Sequence, residues 1–330
     1  MAQFRIFRST DAGAPVLYGS TGSLIGVLDH CLYSGSGWLK PFPNSGSAVT
    51  SPSGSWACYQ QPTGSSGTGS AGCTLYINDK APSGTALYKE AWATGWENMY
   101  SLYSPVGSGS GQFPTAAQLL TTGHVVIRKS TTNDSTTPRA WIVASDSSSF
   151  YLFIGAGDIA NAYYGFAFGD IYSFVTASND AYRCIIIGRN AENTGAAAND
   201  GFDLLSALNT ATVGNFMPRA YTAAAGSITT GKHGDGVKGS TTTYLGSVPF
   251  PNASDYALYI SPVWVVENGT STIRGQLRGF YQCLHPIANF SDQQVLSGSL
   301  DFGGKTFLVL KTTPNSAVYV IETSNTLLTN

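Results

Sequence analysis

Catalysis needs groups that exchange protons, carry charge or attack, held within reach of one another, so the histidines, aspartates and glycine-rich loops come first. His30, His124, His233 and His285 are isolated in the sequence. No H-x-x-x-H or H-E-x-x-H spacing puts two imidazoles on one helix face, and the four read as structural or surface residues. Asp146, Asp158, Asp170 and Asp180 recur over a short span. Two carboxylates about 5–10 Å apart could flank a glycosidic bond, but each of these adjoins Gly, Ser or Asn, where Asp serves turns. The order D-x-[DN]-x-[DN]-G of a calcium loop is absent. Gly67-Thr-Gly69-Ser-Ala-Gly72 has the letters of a dinucleotide loop, but it follows a polar stretch and leads into Cys73–Ile77, which alternates like a strand. A dinucleotide loop would open a helix, so this one reads as a turn. Gly226–His233 (GSITTGKH) approaches a phosphate loop without its final hydroxyl or a preceding strand, and no G-x-S-x-G elbow occurs. Asn133, Asn252, Asn268 and Asn289 begin N-x-[ST] triplets that a Ser/Thr-rich chain produces by chance. No residue is therefore assigned a catalytic, cofactor-binding or metal-binding role, and no enzymatic activity is expected.

The five cysteines show no C-x-x-C pair. Cys58 and Cys73 are spaced to bridge a Gly/Ser loop; the alternative is that all five are small core hydrophobes in a reducing compartment.

Composition narrows the class. The chain has 330 residues, 42% of them hydrophobic and only 11% charged, against about 25% charged in an average soluble domain. Ser, Thr, Gly, Asn and Gln must then cover the surface, as in exposed proteins and stable assemblies of β subunits. A formal net charge of −2 gives no electrostatic case for nucleic acid or an anionic membrane. The N-terminus lacks the apolar run of a signal peptide, and no stretch approaches the roughly 20 apolar residues of a membrane span. A soluble protein made in the cytoplasm is expected.

The elements that would hold any site are mostly strands. In Pro138–Arg189 four short apolar runs, Trp141–Ala144, Phe150–Ile154, Tyr163–Phe168 and Cys184–Ile187, are bounded by turn residues. They read as buried strands and form the β core. Further strands are expected at Phe4–Phe7, Cys73–Ile77, Val125–Ile127, Tyr256–Ile260, Val263–Val266, Gln276–Leu284, Thr306–Leu310 and Ala317–Glu322. Thr85–Thr94 fits a strand or a short helix. The one clear helix is Ser23–Leu32, whose Leu24, Val27, Leu28, Cys31 and Leu32 make an apolar face; Thr21 or Ser23 would cap it and Gly35 and Gly37 would stop it. Gly107–Gly111 reads as a flexible loop, and residues 190–249, with a helical turn at Asp203–Leu208, as a surface excursion. The polar stretch Ser130–Thr137 is the expected boundary between an N-terminal module, residues 1–137, and a β-sandwich-like module, residues 138–330. The fold class is mainly β: an antiparallel β-sandwich or barrel-like core with one short N-terminal helix and long Gly/Ser-rich loops.

Several segments in consistent order carry a resemblance. They are Phe7-Arg-Ser-Thr-Asp11 with Ala14–Leu17, the helix Gly22–Leu32, Gly37-Trp38 and Lys40-Pro41-Phe42, and Gly109–Gln118. They continue through Pro138–Trp141, Ser149–Phe153, Phe168–Ser173, Ile273–Gly279, Gly304–Phe307 and Ile321–Ser324. Together they resemble a family of tailed-bacteriophage virion proteins. The loop after the helix and the low-charge segment Trp96–Ser110, where the family pattern has more acidic residues, depart from it. The resemblance implies a structural subunit of the virion, most of all a tail or neck component in multiple copies. Its partners would be other copies of itself and neighbouring virion proteins. A receptor- or carbohydrate-binding tail appendage, with host surface glycans as partners, and a head decoration protein are the alternatives.

Overall fold

The computed structural model describes residues 4–42, 56–63, 70–79, 89–101, 108–118, 124–130, 135–155, 163–175, 180–189, 213–233, 249–268, 272–298, 302–312 and 317–323. In chain order the strands are β1 (Arg5–Arg8), β2 (Leu17–Gly19), β3 (Trp56–Gln60), β4 (Thr74–Asn78), β5 (Glu90–Ser101), β6 (Ser108–Phe113) and β7 (Val125–Arg128). Then come β8 (Ser135–Arg139), β9 (Trp141–Ser145), β10 (Ser149–Gly155), β11 (Tyr163–Ser173), β12 (Cys184–Arg189), β13 (Val213–Met217) and β14 (Ile228–His233). The last are β15 (Ile260–Glu267), β16 (Thr272–Cys283), β17 (Val295–Ser297), β18 (Thr306–Thr312) and β19 (Ala317–Thr323). Between β2 and β3 lies one helix, whose segments α1 (Ser23–Leu28) and α2 (Ser34–Ser36) flank a π-helical turn, Asp29–Tyr33. No described helix is long and apolar enough to cross a membrane.

The chain is mainly β, and its centre is a closed six-stranded antiparallel barrel with further strands outside it. The ring runs β11, β12, β13, β14, β15, β16 and back to β11. β11 closes it by pairing twice: its first part with β12 (Phe168↔Ile186) and its end with β16 (Ile171↔Leu277). At that seam a Cβ on Gly275 would lie 2.1 Å from the Tyr172 carbonyl oxygen, so glycine lets the two backbones approach. Alternation sets the faces. Ile185 and Ile187 of β12 point into one apolar cluster with Val263, Val265 and Leu277, while Cys184 and Ile186 point into another with the helix. A third cluster lies beyond β16, β18 and β19, under Phe290 and Leu296. Each fully buried Ile, Leu or Phe in these layers contributes about 1.5–3 kcal/mol.

Pairings cross the polar stretch at residues 130–137. β1 lies on β9, β2 on β8 and β7 on β12, so residues on both sides of it share hydrogen-bonded sheets. Part of that stretch is itself strand, because Thr136 and Thr137 are β-branched residues that suit an exposed strand.

The helix is longer than its apolar pattern and is capped differently. Its N-cap is Gly22, in the left-handed region at φ 81°, with no side-chain cap bond. Ser23 Oγ instead donates to the Tyr18 and Ser20 carbonyls at 2.8 and 3.0 Å. The free helix N–H groups are served from far away: Leu24 N–H donates to Asp79 Oδ2 at 2.8 Å. Asp79 is fully buried and ion-paired with Lys129, also fully buried, whose Nζ donates to the Ser20 carbonyl at 2.6 Å. Gly35 does not end the helix. Its missing Cβ admits the Phe7 ring, which a Cβ would meet at 2.4 Å. Gly37, at φ 75°, stops it, and Trp38 N–H returns to the Leu32 carbonyl at 3.1 Å.

The four core runs are strands β9 to β12, and β1, β4, β7, β16, β18 and β19 lie where strands were expected within a few residues. Thr85–Thr94 resolves as strand from Glu90 onward; residues 80–88 lie outside the described residues, as do Asp158, Asn133 and the expected turn Asp203–Leu208. Three expectations are corrected. Gly107–Gly111 is not a free loop from Ser108 on, because β6 pairs with β5 from Ser101↔Ser108 to Gly95↔Phe113. Tyr256 does not begin a strand, since its φ of 57° is left-handed. Within residues 190–249, β13 and β14 are barrel strands rather than surface excursion. In β13 a single alternation suffices, with Phe216 facing the helix-side core and Met217 the other.

Candidate functional site

The described aspartates and histidines singled out for chemistry are engaged in contacts within the fold. Asp146 Oδ1 accepts the N–H groups of Ser148 and Ser149, both at 2.8 Å, and its carboxylate pairs with Arg278 at 2.9 Å. That is the turn role its neighbours suggest. Asp180 does the same for Tyr182 N–H at 3.1 Å. Asp170 differs, lying inside β11 rather than at a turn. It accepts from Gln61 Nε2 at 2.8 Å, from Ala71 N–H and from Arg183 at 2.8 Å, tying the segment before β4 to the barrel. Burial raises its pKa, partly opposed by Arg183 and the Gln61 amide.

Of the histidines, His30 packs edge-on against Phe7. His285 Nε2 accepts Tyr259 N–H at 2.7 Å, so that nitrogen carries no proton. His124 is buried, bonded through Nδ1 to Thr94 Oγ1 at 2.5 Å and stacked on Trp92 at 4.8 Å. Burial pushes it down to about 4, so it is neutral at pH 7. The His233 side chain lies outside the described residues. Cys58 and Cys73 do not form a bridge and occupy different apolar clusters. Cys58 is opposite Tyr76 on β4, whereas Cys73 precedes that strand. Among the described residues no group of three or more His, Cys, Asp or Glu is placed to hold a metal ion.

The densest functional geometry lies at one end of the barrel, around Arg274. Between Val265↔Gly275 and Val266↔Ile273 the β15–β16 register slips, leaving Arg274 as the extra, bulged residue. A bulge re-aims a side chain, and here it buries a whole guanidinium. Arg274 Nε and Nη2 grip both oxygens of Asp180 at 2.8 and 2.7 Å, and Nη1 donates to Glu267 Oε1 at 2.6 Å. Ser173 Oγ, at the end of β11, donates to Asp180 Oδ2 at 2.7 Å. Glu267 is opposite Thr230 on β14. The buried Thr230 Oγ1, and Asn215 Oδ1 from the adjoining β13, have no hydrogen-bond partner among the described residues, leaving polar places that water can fill.

The network continues outward. Arg219 stacks on the Tyr182 ring at 4.2 Å and forks onto Glu97, with both N–O distances 2.7 Å. Glu97 stands at the base of a two-stranded ribbon. Beyond Trp96, β5 leaves β4 and pairs with β6 alone, and β6 has no second neighbour among the described residues. One face of this Gly/Ser-rich ribbon is exposed, with Asn98 and Tyr100 on it, while Glu97, Met99 and Ser101 on the other are half-buried. Beside the same network Phe174 N–H donates to the Arg274 carbonyl at 2.8 Å. Phe174, 47% exposed, meets Trp264 edge-on at 5.7 Å, and Ile273, 52% exposed, lies opposite Val266. Trp264 and Val266 alternate with the buried Val263, Val265 and Glu267, so they face outward. One end of the barrel thus joins a rigid charged node, a two-stranded ribbon and an apolar outer patch.

The node is structural chemistry. Both carboxylates share one guanidinium, and the pairing fixes the backbones that carry the patch and ribbon. A second exposed feature is the loop before β15, where Tyr256 is 75% exposed. Asp255 accepts from Tyr259 Oη at 2.5 Å and Asn252 Nδ2 at 2.6 Å, and the tyrosine hydroxyl bond above all lowers its pKa. No spacing in the sequence points to Arg274, Glu267 or Arg219; the usable hint is the rarity of charge, which makes each charged residue on a strand worth questioning.

No protein-family model and no curated protein matches the chain.

Proposed function

We propose that this protein is a structural subunit of a tailed-bacteriophage virion, a tail or neck component present in multiple copies and packed against copies of itself and neighbouring virion proteins. The observation that carries the reading is the barrel end where Phe174, Trp264, Val266 and Ile273 form an outward apolar patch on a rigid base beside the two-stranded β5–β6 ribbon. Aromatic enrichment with charge depletion suits an interface. Arg274, Asp180 and Glu267 hold that base. Mass spectrometry of washed, gradient-purified particles is expected to find the chain at many copies per particle. Its presence in the lysate with absence from the particles would overturn the proposal.

The Tyr256 loop favours a second reading, a carbohydrate-binding appendage. An exposed ring beside a fixed carboxylate and amide is the chemistry that stacks on and hydrogen-bonds sugars. Adsorption of the isolated protein to host cells, lost in Tyr256→Ala, would favour it over the first.

A further inference from the structure

Two thiols from distant parts of the chain meet in the helix-side core. Cys73, just before β4, and Cys184, the first residue of β12, are 2% and 0% exposed and belong to one apolar cluster. A continuous set of bonds brings them together. Cys73 N–H donates to Gln61 Oε1 at 2.9 Å, and Gln61 Nε2 donates to Asp170 Oδ1 at 2.8 Å. Ala71 N–H reaches the same carboxylate at 3.1 Å, and Asp170 is the register partner of Cys184 in the β11–β12 ladder. The Cys184 thiol has the Cys73 thiol as its side-chain hydrogen-bond partner. Of the other cysteines, Cys58 and Cys283 lie in different clusters, while Cys31 shares the cluster but sits on the helix and has neither Cys73 nor Cys184 as a hydrogen-bonded neighbour among the described residues.

We propose that Cys73 and Cys184 form a latent disulfide, a modification site for a small-molecule disulfide such as oxidised glutathione. One protein thiolate attacks a glutathione sulfur, giving a mixed disulfide and expelling a glutathione thiolate that takes up a proton. The second protein thiol loses its proton and displaces the remaining glutathione. In total one glutathione S–S bond is reduced to two S–H groups, two protein S–H groups become one S–S bond, and two electrons pass from protein to glutathione. Burial holds the Cys184 thiol protonated, so the exchange is slow in the closed fold and follows lifting of residues 70–73 from β12. The bond would tie the segment before β4 to the barrel, closing a loop of roughly 110 residues, the range in which cross-links restrain the unfolded chain most.

The test uses the full chain, incubated at pH 8 with oxidised glutathione in sub-denaturing urea, then alkylated in denaturant and digested. The expected product is 2 Da lighter than the starting protein, contains a linked Cys73–Cys184 peptide and has three of the five cysteines still alkylated. Its thermal midpoint rises by roughly 5 °C, and dithiothreitol reverses both changes. Cys184→Ser is expected to stop at a mixed disulfide on Cys73. Persistent alkylation of all five cysteines, a wild-type mixed disulfide that never resolves, or a linkage using Cys31, Cys58 or Cys283 would each overturn the proposal.

Discussion

Lys129→Met isolates the clasp that holds the helix. Lys129 and Asp79 are both fully buried, and Asp79 also receives Leu24 N–H. The substitution keeps the apolar stem but removes the ammonium, leaving a carboxylate in the core with only backbone donors. Breaking a buried pair from one side costs about 3–5 kcal/mol. With an unfolding entropy of about 2.1 cal/mol/K per residue over 330 residues, 1 kcal/mol corresponds to about 1.4 °C. The expected fall in Tm by differential scanning calorimetry at pH 7 is therefore about 4–7 °C. Asp79→Asn in the same background removes the stranded charge while its side-chain oxygen still accepts Leu24 N–H. The double variant is expected to recover more than half of the loss, a non-additivity of about 2 kcal/mol or more. A fall below about 1.5 °C in Lys129→Met, or a double variant worse than the single one, would refute the reasoning.

Three further outcomes follow from other parts of the molecule. His124 has a folded pKa of about 4, below its ordinary 6.5; its contribution is complete above pH 6.5 and is lost as pH falls toward 4, by up to about 3 kcal/mol. A plot of Tm against pH for wild type should fall more steeply between pH 6.5 and 4 than for His124→Gln, and parallel curves would contradict this. Gly275→Ala puts a Cβ against the Tyr172 carbonyl, and the overpacked seam should lose about 1–3 kcal/mol by chemical denaturation; an unchanged midpoint would count against barrel closure there. Phe174→Ser with Ile273→Lys alters only exposed side chains, so stability should move by less than about 0.5 kcal/mol, while incorporation into particles in a complementation assay should drop sharply.

Much of the scaffold was legible in the sequence because its signal is local. Trp141–Ala144, Phe150–Ile154 and Cys184–Ile187 are dense apolar runs whose strand character needs no distant partner. The strands that escaped are the ones whose identity is set across the sheet. Ser-Gly-Ser-Gly in β6 becomes strand because β5 supplies its ladder, and β13 and β14 do so by completing a ring. The helix was visible in its apolar face, but its cap was not, since Asp79 lies 55 residues from the N–H it accepts. The barrel-end site was least legible. Arg274 reaches its place through a register slip, Asp180 and Glu267 converge on it from separate elements, and Arg219 pairs with Glu97 farther out. No spacing rule connects them.

A density map of purified particles by cryo-electron microscopy tests repeated assembly most directly. The result predicted is density for the six-stranded barrel at a symmetric position, with Phe174, Trp264 and Ile273 buried against an adjacent subunit. Particles complete at every symmetric position without this barrel, or with that face open to solvent in every copy, would contradict it.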